Sequence, residues 1–338
     1  MAQAGAHRKR RRLLGQVSGG DACHPNPDGG CFAQAKTNRP GVPGVVVVVC
    51  VKARTVFIAL PFSSRSVKGQ LNSELALSSP PRQLAQSVPV PHKAAMIKTR
   101  FHALPDGRRI AFRHVAGNGP TLVFLPGYMS DMAGGKATAV FDWAQANGRA
   151  CLLLDYSGCG ESSGDFADGT LSRWRDEVTA LIETHCAGPV VLIGSSMGGW
   201  LMLLVALAMP ERIAALVGIA AAPDFTDWGF EEHQKAALAA GETLYEHNPY
   251  GPEPTPTHAA FWQDGERQRL LDKDIPLSCP VRLIHGQDDP DVPWNISLRL
   301  AEALRSADVQ VTLIKDGDHR LSRDTDIALL LRAVAALG

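Results

Sequence analysis

Apolar and polar positions change period several times along this 338-residue chain, and the changes mark out its elements. Short apolar runs of strand length fall at 121–125, 150–155, 190–194, 213–221, 281–285 and 309–314. Two earlier runs, 97–103 and 109–114, flank Pro105-Asp106-Gly107, a turn signal that predicts an antiparallel hairpin at the edge of a sheet. Between the runs the period becomes helical. Over 171–185, Leu171, Trp174, Val178, Leu181, Ile182 and His185 fall on one face, which assigns Trp174 to the core. Strands that alternate with helices predict an α/β fold with a doubly wound, mainly parallel sheet. No internal repeat is visible.

The alternation breaks at about 223–277. That interval carries Trp228, Phe230, Tyr245, Tyr250, Phe261 and Trp262 around a Pro/Gly/Thr-rich stretch at 248–257. Lying between two sheet strands, it is expected to form a small lid insertion. Its aromatic residues either line an apolar pocket or fasten the insertion to the body.

A different composition precedes residue 96. Of the chain's 34 basic and 34 acidic residues, 13 and 3 fall in 1–95, so the balance of zero hides a positive leader and a remainder with about ten excess negative charges. The leader contains Arg8-Lys9-Arg10-Arg11-Arg12 and the apolar run Val45-Val46-Val47-Val48-Val49-Cys50-Val51. Lys52 and Arg54 cut that run far short of the roughly 20 residues that span a bilayer, so no stable membrane insertion is expected. Three readings compete for 1–95: an organellar transit segment, a basic binding tail, and an unstructured extension or misassigned start ahead of Met96. The last is favoured, because Met96 stands where the first folded strand begins and the earlier composition matches no packed class. The folded domain is therefore expected over 96–338.

With 45% hydrophobic and 20% charged residues, the chain can bury one large core, which excludes fibrous and disordered classes. Seven cysteines without framework spacing, two of them (Cys151 and Cys186) in apolar surroundings, fit a reducing compartment. A cytoplasmic location is expected, with a mitochondrial one as the alternative if 1–95 is a transit segment.

The chemistry concentrates in Gly194-Ser195-Ser196-Met197-Gly198, between an apolar run and the helical pattern at 199–207. A serine in that strand-turn-helix context is lifted off the sheet, with the first helical N–H groups aimed at a reacting carbonyl. Ser196 is the candidate nucleophile, and Ser195 a turn residue. If Ser, acid and His follow in that order, the base is His319, just past the run at 309–314, and the acid comes from the loop holding Asp288, Asp289 and Asp291. Each group would stand beyond a strand's carboxyl end, where active sites form in open α/β sheets. The Gly-rich stretch 155–164 lacks both the Lys-Ser/Thr ending of a phosphate loop and the spacing of a dinucleotide site. Neither CxxC nor HExxH is present. No cofactor, metal or nucleic-acid partner is expected.

Taken together, Leu125-Pro126-Gly127-Tyr128, Asp155-Tyr156-Ser157-Gly158-Cys159-Gly160, the Ser196 turn, His285-Gly286 with Asp289, Val292 and Pro293, and Gly317-Asp318-His319 resemble the α/β-hydrolase family over 96–338. The resemblance is closer to its branch of mitochondrial palmitoyl-protein thioesterases and acyl-glucuronide esterases, with their small bacterial relatives. It implies Ser196 as nucleophile, His319 as base and Asp289, four residues after His285, as acid, with Asp288 and Asp291 as rivals. His285 occupies the family's strand-end position and reads as structural. The resemblance also implies an oxyanion site built from the N–H groups of Met197 and Tyr128; Pro126-Gly127 stands where many relatives carry His-Gly. The Tyr128 ring either lines the pocket or packs. The implied activity is hydrolysis of a small-molecule ester or thioester, or of an acylated protein, through an acyl-serine. A peptidase of the same fold and a silent binding scaffold are the alternatives.

Overall fold

Nine strands align in one sheet, whose central apolar runs are long enough to cross a domain and too apolar to face water. The computed structural model describes residues 48–51, 97–248 and 251–337. The strands are β1 (Val48–Val51), β2 (Arg100–Ala103), β3 (Arg109–Val115), β4 (Asn118–Leu125), β5 (Arg149–Leu154), β6 (Val190–Ser195), β7 (Ile213–Ile219), β10 (Val281–Gly286) and β11 (Val309–Ile314), with β8 (Leu244–Glu246) and β9 (Thr255–Thr257) forming a separate two-stranded ribbon. The sheet order is β1-β11-β10-β7-β6-β4-β5-β3-β2. Neighbours from β1 through β5 are parallel, and β3 runs antiparallel to β5 and β2. The expected doubly wound, mainly parallel sheet and its edge hairpin are both present. Of 1–95, only β1 is described, as an edge strand paired with β11; the rest of that segment lies outside the described residues.

Every residue of β6 is buried, as a parallel strand covered on both faces must be. One face carries α2 (Leu171–His185), α3 (Met197–Ala208) and α7 (Asn295–Ala303), whose Trp174, Leu181, Trp200, Leu203 and Leu300 join one apolar cluster. The other carries α1 (Gly135–Ala146) and α8 (Asp324–Ala335), through Val140, Phe141, Leu330 and Val334. Residues 197–206 of α3 are all buried, so this helix has no solvent face and holds the turn before it rigidly.

Helix α2 spans the expected 171–185, with Trp174 1% exposed. β7 stops two residues short of the expected 221, because Ala220 turns into the left-handed region at φ 44°. Between β7 and β10 the alternation gives way to α4 (Phe225–Trp228), α5 (Glu232–Ala239), the β8–β9 ribbon and α6 (Ala259–Arg267). Buried Asp264 of α6 accepts from Ser172 N and Oγ on α2, both at 2.8 Å, and buried Asp224 accepts from Leu270 N and Leu271 N. Asp264 thus ties the insertion to α2 and Asp224 ties its two ends together, each by a carboxylate that satisfies main-chain donors.

The connections fix where a site can form. From β4 the chain passes to β5 on one side; from β6 it passes to β7 on the other. The crevice between the carboxyl ends of β4 and β6 is a topological switch point, the place where such sheets bind ligands. Trp174 packs beneath that region, and Trp174→Ala is expected to lower unfolding free energy by about 3–5 kcal/mol in urea denaturation.

Candidate active site

The turn after β6 forces Ser196 into an unusual conformation. Its backbone adopts φ 55° and ψ −122°, a region that costs a non-glycine residue about 1–3 kcal/mol. The turn is held by packing that admits no side chain on either flank: a Cβ on Gly194 would overlap the Gly198 carbonyl, and one on Gly198 would overlap the Leu125 and Pro126 carbonyls. Main-chain bonds complete the frame, from Ser196 N to Ile219 O at 2.9 Å and from Ala222 N to Ser196 O at 3.0 Å. Ser195, expected in the turn, is instead the buried last residue of β6, one position before the turn.

The side chain so presented meets a histidine 123 positions away. Ser196 Oγ lies 3.0 Å from His319 Nε2, and His319 Nδ1 lies 2.9 Å from Asp289 Oδ2. Asp289 is fully buried at its side chain, and its other oxygen accepts from Asp291 N and Val292 N, both at 2.9 Å. Burial works against its ionisation. Hydrogen bonds from His285 and His319, the attraction of the His319 charge and the Val292 N–H outweigh that and hold the carboxyl well below the usual carboxylate range. An ionised carboxylate only accepts, so His319 carries its proton on Nδ1 and turns the Nε2 lone pair to the serine hydroxyl.

Of the three loop carboxylates, Asp289 is the one that reaches the ring. Asp288 is exposed, with its backbone N bonded to Gly317 O at 3.0 Å, and Asp291 is exposed and contributes its backbone N to Asp289. Asp289, Asp291 and His319 do bring possible metal ligands within 4.8 Å of one another. The Asp289–His319 contact, however, is a hydrogen bond with a proton between the two atoms, and a cation would have to displace it.

His285 is more than structural filler. Its ring is completely buried, with Nδ1 2.7 Å from Ser297 Oγ and Nε2 facing both Val292 O at 3.0 Å and Asp289 Oδ2 at 3.2 Å. Two acceptors at Nε2 place a proton there, so the ring donates to the carboxylate and the loop carbonyl together. The four-residue spacing to Asp289 was the available signal, but spacing alone does not show which way a strand-end ring turns.

Met197 is the first residue of α3, where a main-chain N–H has no acceptor within the helix. Opposite it, a Cβ on Gly127 would stand 3.3 Å from Ser196 Cβ, so the Gly127–Tyr128 peptide runs beside the serine. The Tyr128 ring packs against Phe166, Phe225 and Phe261, and its hydroxyl donates to Pro256 O at 2.9 Å. Burial pushes that phenol far above its ordinary pKa, so it remains a donor. Packing, not pocket lining, is the role of the ring, and it ties the loop after β4 to β9. Buried Asp155 anchors the same loop by accepting from Met132 N at 2.7 Å and from Glu161 N at 2.8 Å. In the sequence Asp155 stands in a motif of the resemblance but carries no assigned role; the signal for its anchoring is a carboxylate at the end of an apolar run.

Residues 122–332 match the alpha/beta hydrolase family. The chain is 37% identical over 239 residues to the human mitochondrial palmitoyl-protein thioesterase, covering 68% of this chain and 76% of that one. Two solved structures are similar at TM-score 0.67: alpha/beta hydrolase domain-containing protein 10 from mouse, at 36% identity over 71% of this chain and 98% of that one, and a protein of Agrobacterium vitis S4 described as a hydrolase, at 38% over 72% and 99%.

A carboxylate held below its ordinary range stabilises the fold above the unfolded-state value of about 3.9 and loses that contribution as pH falls through it toward the folded-state value. Wild type is therefore expected to lose stability relative to Asp289→Asn as pH is lowered beneath about 4, measured by urea denaturation across pH. A difference that does not change with pH would contradict the ionised, buried state of Asp289.

Proposed function

The chain belongs to the alpha/beta hydrolase family, and from that premise we propose that it cleaves carboxylic thioesters and esters through an acyl-Ser196 intermediate. The observation that carries the reading is the continuous hydrogen-bonded chain from Ser196 Oγ through His319 to Asp289. As Oγ attacks the acyl carbon, His319 Nε2 takes the hydroxyl proton, and Asp289 holds the ring and offsets the charge of the imidazolium that forms. The carbonyl oxygen becomes an oxyanion received by the main-chain N–H groups of Met197 and Tyr128. Collapse expels the thiolate or alkoxide, which takes the proton from Nε2. A water activated by the same nitrogen then attacks the acyl carbon, and the acid leaves with Ser196 regenerated.

The human relative's name makes it a palmitoyl-protein thioesterase, which supports a thioester substrate carried on a protein for this chain as well. That name also places the relative in mitochondria, and with an Arg-rich, acid-poor leader it favours the mitochondrial alternative over the cytoplasmic expectation here. Among the described residues no helix is long and apolar enough to cross a membrane. The insertion over 223–277, tethered to the loop after β4 by Tyr128, fits the expected lid.

Intact mass after treatment with a fluorophosphonate probe tests the nucleophile. One adduct on wild type, lost in Ser196→Ala, is expected, and no adduct on folded wild-type protein would overturn the reading. Asp289→Asn is expected to lower turnover of a p-nitrophenyl ester by about four orders of magnitude, while Asp288→Asn stays near wild type.

A further inference from the structure

A cavity of about 410 Å³ opens between the loop after β4, the loop after β5 and the β8–β9 ribbon. Its wall includes Met129, Phe166, Tyr245 and His258, together with the exposed residues Asp131 and Asp165. Ser130, also in the wall, brings it up to the nucleophile: Ser130 Oγ and Ser196 Cβ stand 3.7 and 3.3 Å from the same point above Gly127. The cavity thus begins beside the peptide assigned to the oxyanion.

Its lining does not suit an alkyl chain. Burying hydrocarbon against two carboxylates would strip them of water without giving them a partner, which is costly. Nor does it suit an anion, since among the described residues no lysine or arginine lines it. Both carboxylates are fixed in place, Asp131 Oδ1 by Ala133 N at 2.8 Å and Asp165 Oδ1 by Ala167 N at 2.9 Å. Their charges are part of the excess negative charge of residues 96–338. On the other side of the loop, the apolar space beneath the insertion is filled by the rings of Tyr128, Trp174, Phe225 and Phe261.

We propose that this cavity is the leaving-group subsite, and that Asp131 and Asp165 select thiols and alcohols on positively charged carriers, such as basic cysteinyl peptides, over polyanionic carriers such as coenzyme A. The inference rests on the hydrolase reading above. Aromatic Tyr245, 67% exposed at the mouth, and the exposed thioether of Met129 give such a peptide apolar contact beside the charges. A cation near these negative charges gains Coulomb energy that a coenzyme's phosphates lose, so the effect should appear as discrimination between substrates rather than as overall rate.

The test compares kcat/KM for two thioesters with the same octanoyl group, one on a lysine-containing cysteinyl peptide and one on coenzyme A. Wild type is expected to prefer the peptide, and the preference to shrink as salt is raised toward about 0.5 M, where charge interactions are screened within a few ångströms. Asp131→Asn with Asp165→Asn, which keeps both acceptor oxygens, is expected to lower the peptide-to-coenzyme ratio about tenfold at low salt. Asp176→Asn, an exposed α2 carboxylate outside the cavity, should leave the ratio at the wild-type value. An unchanged ratio in the double variant, on protein that still takes a fluorophosphonate at Ser196, would overturn the inference alone. A wild-type ratio insensitive to salt would overturn it without any variant. If neither thioester is cleaved and Ser196 takes no probe, the hydrolase reading fails and the subsite fails with it.

Discussion

One buried carboxylate holds together the hydrogen-bonded chain on which the proposed chemistry depends. Asp289 sits out of water, where an unpartnered charge would protonate or unfold its surroundings. It stays ionised because two loop N–H groups and two histidine rings face it. The consequence travels outward. An accepting carboxylate fixes the His319 tautomer and leaves Nε2 facing the Ser196 hydroxyl, the arrangement on which the proposed reaction depends. His285 and Ser297 form the rear wall of this arrangement, so removing either partner should leave the carboxylate less well satisfied.

The second constraint is backbone geometry. Ser196 holds a conformation that an isolated chain would leave, and the energy to keep it there comes from α3, a helix with no solvent face packed against β6 and β7. Gly194 and Gly198 let carbonyls approach where side chains would separate them. On the facing strand, Asp155 and Tyr128 tie down the loop after β4 from opposite ends, one through Met132 N and the other through Pro256 O. The loop after β4 is therefore tethered at the sheet's switch point by two hydrogen bonds, beside the Ser196 turn.

Much of this was legible in the chain. Helix α2 begins and ends where its apolar face begins and ends, and the strand runs of the sheet lie where their apolar stretches do, because both follow from burial period alone. Ser196 and His319 stand out through local motifs. The resemblance narrowed the candidate acid to Asp289, since three carboxylates in one loop differ only in direction, and direction belongs to the folded turn. The Tyr128 ring and His285 were ambiguous for the same reason: their partners, Pro256 and Asp289, are set by tertiary contacts. The insertion showed itself only as a break in alternation, with Phe261 and Trp262 buried on α6 and Tyr250 outside the described residues. The acidic cavity could not be read at all, because its wall is assembled from three separate segments.

If every substrate passes through the same covalent acyl group on Ser196, partitioning between water and added methanol tests that intermediate directly. Esters and thioesters that carry the same acyl group on different leaving groups should give one constant ratio of methyl ester to free acid, because both nucleophiles meet the same acyl-Ser196. A ratio that varies with the leaving group would mean that water attacks the bound substrate itself, and Ser196 would then not be the nucleophile.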